Sequence, residues 1–143
     1  MTLPGLAALA NLARIGKLKV EAPDTRERSG PLRSAEVRLL DARQATLSLE
    51  SRFDLAYNAA HAGALAALRA HGYRSDNRYL VFQCLEHTLG WPPARWLLFD
   101  QAHKKRHLAE YEGDLDVTEG FVLELVEHAA VLIAAARALD GAA

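Results

Sequence analysis

Apolar residues recur along this chain at intervals of three and four, the spacing that gathers side chains on one face of an α-helix. Over residues 31–49 the stripe is Leu32, Ala35, Leu39, Ala42 and Thr46, and Pro31 suits a first helical turn, where its missing N–H costs no hydrogen bond. From Ser51 the stripe Phe53, Tyr57, Ala60, Ala64 and Leu68 predicts a second long helix, with Ser51 and Asp54 as a capping pair and Gly72 as its stop. Asp76 can cap a shorter helix running to Leu89, with Phe82, Leu85 and Leu89 inward and Gly90 as terminator. Trp91-Pro92-Pro93 makes a rigid turn whose second proline opens the next helix, which reaches about His107. A last helix starts at Asp116, where Asp116 and Glu119 form a cap, and carries Phe121, Leu125, Ala129, Leu132, Ala136 and Leu139 to Gly141.

No run alternates with the period of two that a half-buried strand requires. Residues 1–20 read as an amino-terminal helix and residues 21–30, with Pro23, Asp24, Arg26, Glu27, Arg28, Ser29 and Gly30, as a linker inside one domain. Long helices joined by short turns predict an all-α fold, an up-and-down antiparallel bundle of five to six helices. Two segments are rich in alanine: Ala56, Ala59, Ala60, Ala62, Ala64, Ala66 and Ala67 on one, and Ala129, Ala130, Ala134, Ala135, Ala136 and Ala138 on the other. Such small faces permit close helix approach, in the core or at a subunit interface.

Composition narrows the chemistry. The 143 residues, half of them hydrophobic, suffice for one domain with one core. A formal charge of -1 excludes a general polyanion binder, so any nucleic-acid contact must be a local patch. Cys84 is the sole cysteine, which excludes an intrachain disulfide and a thiolate-rich zinc site. The first eighteen residues carry Asn11, Arg14 and Lys17 and read neither as a signal peptide nor as a membrane span. A cytoplasmic protein without membrane contact is the expectation.

The local patch is His103-Lys104-Lys105-Arg106-His107-Leu108-Ala109-Glu110-Tyr111, where a cation that grips phosphate stands beside imidazoles and a phenol. Lys104, Lys105 and Arg106 also suit the carboxyl end of a helix on electrostatic grounds alone. His103 and His107 are four apart, a zinc-compatible spacing, but no glutamate base lies between them and no third ligand is evident, so neither metal nor cofactor is expected. His61 borders the Phe53-Tyr57-Ala60 stripe and reads as a half-buried histidine satisfied by a polar neighbour; in a genuine site, Asn58 and His61 would face Arg106 from a second helix. Trp91 and Trp96 read as plugs at the bundle's end before they read as stacking platforms. Arg69, Arg74 and Arg78 surround the Gly72 turn as a solvated face, or extend the positive patch if that turn approaches the basic helix.

The order of motifs, Arg52-Phe53-Asp54-Leu55-Ala56-Tyr57-Asn58-Ala59-Ala60-His61, then Gly72-Tyr73-Arg74, then Arg106-His107-Leu108-Ala109-Glu110-Tyr111, resembles a HEPN domain over roughly residues 32–139. The resemblance implies a helical bundle, often a homodimer with the basic motifs of two protomers facing one cleft. Many members are metal-independent ribonucleases, and several are toxins or defence effectors paired with a nucleotidyltransferase-like antitoxin. Active members carry an arginine, commonly followed by asparagine, with a histidine four to six residues on. Arg106 takes the arginine position here and His107 the asparagine position, but Tyr111 stands at the fifth place where a histidine is expected. In the alternative register Lys104 takes the arginine position, Ala109 replaces the histidine, and Tyr111 maps onto a tyrosine that accepts nucleotide transfer in some toxin members.

The implied function is a HEPN-like nucleotide- or RNA-binding module, a toxin-antitoxin or defence component without an intact ribonuclease motif. Asn58, His61, Lys104, Lys105, Arg106 and Tyr111 are its candidate binding residues. One alternative is a metal-independent RNA endonuclease built on Arg106, His107 and Tyr111; Tyr111, with an ordinary pKa of about 10, is a poor base for it. A second alternative is a structural oligomerisation protein.

Overall fold

The computed structural model describes residues 4–141. Its helices are α1 (Pro4–Arg14), α2 (Thr25–Ala42), α3 (Leu49–Ala70), α4 (Arg78–Gln83), α5 (Leu85–Thr88), α6 (Pro93–Glu112) and α7 (Glu119–Gly141). Two short strands, β1 (Lys19–Val20) and β2 (Tyr73–Arg74), form an antiparallel pair with Lys19 opposite Arg74 and Val20 opposite Tyr73.

The helix ends differ from the expected ones because other residues do the capping. Of residues 21–30 only 21–24 form a link: Asp24 accepts a hydrogen bond from the Arg26 amide at 2.9 Å and starts α2 at Thr25, leaving Pro31 inside the helix. Buried Arg69 holds that added turn, donating to the Glu21 and Ala22 carbonyls at 2.8 and 2.9 Å and to Glu27 at 3.1 Å. α2 stops at Ala42, so Thr46 lies in a loop, and Ser48 rather than Ser51 caps α3. Asn77, not Asp76, caps α4, and a break at Cys84 divides the expected helix into α4 and α5. α6 runs past His107 to Glu112 and ends at Gly113, whose φ of 79° suits a residue without a side chain. The Thr118 hydroxyl accepts from the Phe121 amide at 3.1 Å, starting α7 at Glu119 and leaving Asp116 in the preceding loop. The amino-terminal helix is α1 alone, since residues 19–20 pair as β1; residues 1–3 of that expected helix lie outside the described residues.

Cross-helix pairs fix the helix directions. Arg52, near the start of α3, is buried; it donates to the Ala42 carbonyl at the end of α2 at 2.8 Å and to both Glu119 oxygens at the start of α7 at 2.9 and 2.8 Å. α3 and α7 therefore run parallel, and both oppose α2, whose Glu36 pairs with Arg137 near the other end of α7. α6 opposes α3, since Tyr57 meets His103 and the earlier Asp54 meets the later Arg106, and it opposes α7, since Phe99 meets His128 and Lys105 meets Phe121. Direction alternates along α2, α3, α6 and α7, as an up-and-down bundle requires.

The α3–α7 crossing is close because the facing residues are small. Ala56, Ala59, Ala60, Ala64, Ala66 and Ala67 are all buried within the chain's own core, and a Cβ added to Gly63 would lie 3.0 Å from Leu132 Cγ. Phe53, Tyr57, Phe82, Phe99, Leu125 and Leu132 fill the space around them. At the far end α1 lies on α5, where a Cβ at Gly5 would come 2.2 Å from the His87 carbonyl oxygen. Trp91 and Trp96 both pack on the core, Trp91 beneath the Arg95 guanidinium.

Candidate functional site

α3, α4 and α6 bring two guanidinium groups and two imidazoles around the ring of Tyr57. Arg78, on the first turn of α4, holds its Cζ 5.5 Å from the ring centroid, and Arg106 of α6 holds its own at 5.0 Å. The Tyr57 hydroxyl shares a 3.0 Å hydrogen bond with Nδ1 of His103, which stacks on His107 with ring centroids 6.3 Å apart. Tyr57, Arg78, His103, Arg106, His107 and Glu110 line a small cleft of about 210 Å³.

Each residue is held by its element. Tyr57 belongs to the apolar stripe of α3, with its ring packed against Phe53 and Phe82 and its hydroxyl bonded to His103. His103, Arg106, His107 and Glu110 are three or four apart on α6 and so share a face. Arg78 is steered by the side chain of Asn58, whose oxygen accepts from it at 3.2 Å while its amide donates to the Asp54 carbonyl at 2.8 Å. Arg106 sits 3.4 Å from Asp54 and 3.8 Å from Glu110, but its buried Nη1 lacks an aligned acceptor, so its ion pair with Asp54 is contact without a directed hydrogen bond.

Burial and neighbouring positive charge tune the titrating groups. Burial chiefly pushes His61 down to about 4, with Arg78, Arg106 and His103 adding to it. His103 is lowered for the same reason first and by His107 second, which keeps it neutral at neutral pH. Burial raises the Tyr57 phenol above its ordinary value, so it remains a hydrogen-bond donor. A neutral imidazole beside two fixed cations can accept a proton from a substrate held by those cations.

The expected residues separate into two groups. Arg106 and His107 line the cleft directly, Asn58 orients Arg78 at its edge, and His61 lies behind it against Phe82. Nε2 of His61 is buried without a hydrogen-bond partner, so the polar neighbour expected to satisfy it is engaged elsewhere. Lys105 turns away to the Asp116 carbonyl at 3.0 Å, and Lys104 pairs with Asp100 at 3.2 Å. Tyr111 contacts His107, not Arg106, and is 82% exposed. The basic turn is not a helix end, since α6 continues beyond it to Glu112, so dipole complementarity does not explain its charges.

The sequence placed Tyr57 in the core stripe, His103 in the basic patch without a role of its own, and Arg78 on a solvated face or as an extension of the patch, and the second of these holds for Arg78. The spacing of His103 from Arg106 and His107 was the available signal for the α6 face; nothing local announced that α4 would deliver Arg78. Of the other two arginines near Gly72, Arg69 is buried and Arg74 pairs with Glu21 at 3.3 Å, so neither extends the patch. Among the described residues, no group of three His, Cys, Asp or Glu side chains converges as a metal site would, and no helix is long and apolar enough to cross a membrane. No protein-family model, curated protein or solved structure matches this chain.

Proposed function

We propose that this chain is a HEPN-like module that binds a nucleotide or RNA by its phosphate at the Tyr57 cleft. The observation that carries this reading is the convergence of Arg78 and Arg106, from different helices, on one aromatic floor. Two guanidinium groups brought to one cleft from different helices can share the oxygens of one phosphate group, and the fork of each matches that geometry better than an ammonium would. In the free protein Arg106 meets only the exposed carboxylates of Asp54 and Glu110, with no directed hydrogen bond at its buried Nη1, and such contacts yield to a better-aligned anion. The cytoplasmic setting, the homodimer and the nucleotidyltransferase-like antitoxin partner that the HEPN resemblance implies belong to the same proposal.

Binding of labelled uridine monophosphate and short RNA in chelator, measured with Arg78→Ala and Arg106→Ala beside the wild type, tests it. Either variant is expected to lose about tenfold or more in affinity, the worth of a charge-assisted hydrogen bond. Absence of binding by the wild type would end the reading.

A second reading, a metal-independent ribonuclease, rests on His103. Its neutral imidazole in the same cleft as Arg106 suits it to take the 2′-hydroxyl proton, with His107 placed to return one to the leaving oxygen. RNA cleavage in chelator that disappears in His103→Asn while binding persists would favour it; intact RNA with the wild type excludes it.

A further inference from the structure

The outer face of α6 carries a row of rings that begins in the phosphate cleft, at His103 and His107, and extends beyond it to Tyr79 and Tyr111. Tyr79 of α4 meets His103 with centroids 6.0 Å apart, His103 meets His107 at 6.3 Å, and His107 meets Tyr111 at 5.7 Å. The three α6 members are four residues apart, so they climb the helix in steps of about 6 Å along one line. The row opens to solvent at Tyr111, 82% exposed, at His107 and at Tyr79, with His103 half-buried between them and exposed Leu108 alongside. Beside it runs a groove of about 410 Å³ lined by His103, Lys104, His107, Leu108 and Tyr111, in which Lys104 is the charged side chain.

This groove and the arginine cleft are continuous, because His103 and His107 line both. A row of exposed rings has no packing reason here, since the core of the bundle lies on the opposite side of α6, where Leu98, Phe99 and Ala102 are buried. Exposed aromatic and apolar area on a charged helix is the arrangement that stacks unpaired bases, and the cations at one end suit the backbone that joins them.

Resting on the phosphate reading above, we infer that the Tyr79–His103–His107–Tyr111 row is a stacking track for single-stranded nucleic acid whose terminal phosphate sits between Arg78 and Arg106. The ligand class is then an unpaired strand of several nucleotides and not a mononucleotide or a duplex. A duplex keeps its base faces stacked internally and offers none to these rings.

The test is fluorescence polarisation with labelled oligouridylate and oligodeoxythymidylate of increasing length, a blunt RNA duplex and uridine monophosphate, using wild type, Tyr111→Ala and Tyr111→Phe. Tyr111 is exposed, so neither substitution threatens the fold. Affinity is expected to rise with strand length over the first few nucleotides, to drop about tenfold for the longer strands in Tyr111→Ala, and to return in Tyr111→Phe. Uridine monophosphate binding stays unchanged in both variants. Tighter binding of the ribose or of the deoxyribose series identifies the natural strand. Equal affinity for mononucleotide and long strand, duplex binding as tight as single-strand binding, or indifference to Tyr111→Ala overturns the track while leaving the phosphate cleft standing. Light scattering that shows Tyr111→Ala turning an oligomer into a monomer, with unchanged strand affinity, would make the face a contact between copies and overturn the track as well. Failure of the wild type to bind uridine monophosphate strikes the cleft itself.

Discussion

The Tyr57 hydroxyl lies 3.0 Å from Nδ1 of His103, joining the middle of α3 to the middle of α6 at the base of the cleft. With the imidazole proton on Nε2, the phenol donates to Nδ1 and an N–H is left for a ligand; with the proton on Nδ1, the imidazole donates to the phenol oxygen and Nε2 is left free to take a proton. In either tautomer a core residue fixes the orientation of the imidazole at the cleft.

Tyr57→Phe keeps the ring between Phe53 and Phe82 and removes only this bond. Stability is expected to fall by about 1 kcal/mol, the net worth of one such hydrogen bond. Urea unfolding of the two proteins at neutral pH measures it, and an unchanged midpoint would mean that His103 finds another partner.

His61 predicts an acid-sensitive stability. In the unfolded chain it titrates at its ordinary value of 6.5, in the fold only at about 4, so between those values the unfolded state holds more protons and stability falls as pH falls. The whole effect is on the order of 3 kcal/mol, present above pH 6.5 and lost by about pH 4. His61→Gln should lose less stability than the wild type between pH 7 and pH 4.5 in paired urea titrations; parallel losses would refute the assignment.

Arg52 is the joint of α2, α3 and α7, 4% exposed and engaged by Glu119 and the Ala42 carbonyl. Arg52→Ala leaves that carbonyl unpaired and opens a cavity, and is expected to cost about 3 kcal/mol. Calorimetric melting checks it. A loss below about 1 kcal/mol would mean that water replaces all three bonds.

A phosphodiester probe keeps its charge through the histidine range, so the pH dependence of its binding reports on the protein. His103 is lowered in the free protein, and an anion beside it favours the imidazolium; the complex then holds more protons, and affinity rises as pH falls from 7.5 towards 5.5. Binding of a labelled dinucleotide across that range should steepen in the wild type and flatten in His103→Asn. Affinity should also fall with salt, with a logarithmic slope of about −0.7 for the one phosphate that the two arginines share.

The helical stripes were legible because period 3.6 is a local property. Phe53, Tyr57, Ala60, Ala64 and Leu68 all face the core side of α3, and Leu125, Ala129, Leu132 and Ala136 that of α7. Helix ends were less legible, since several residues in each turn can cap and the choice is made at a distance: Arg69 secures the first turn of α2 from 42 residues away through Glu27. The cleft was half legible. Arg106 and His107 stood out as charge and imidazole in one short segment, whereas Arg78 joins them through a fold that carries α4 across α3 to meet α6. Tyr111 stood out as well, but the spacing of five turns it from Arg106 towards His107 and the outer groove.

α6 continues for more than a turn past Arg106 before Gly113 ends it. Arg106 and Lys104 therefore ride on a backbone already hydrogen-bonded on both sides, and Arg78 opens α4 directly behind the Asn77 cap. Binding has no main-chain disorder to remove, and only the rotamers of Arg78, Arg106 and Lys104 must be frozen, at roughly 0.5 to 1.5 kcal/mol each. A preorganised frame of this kind favours quick capture and release of many similar strands over slow folding around one.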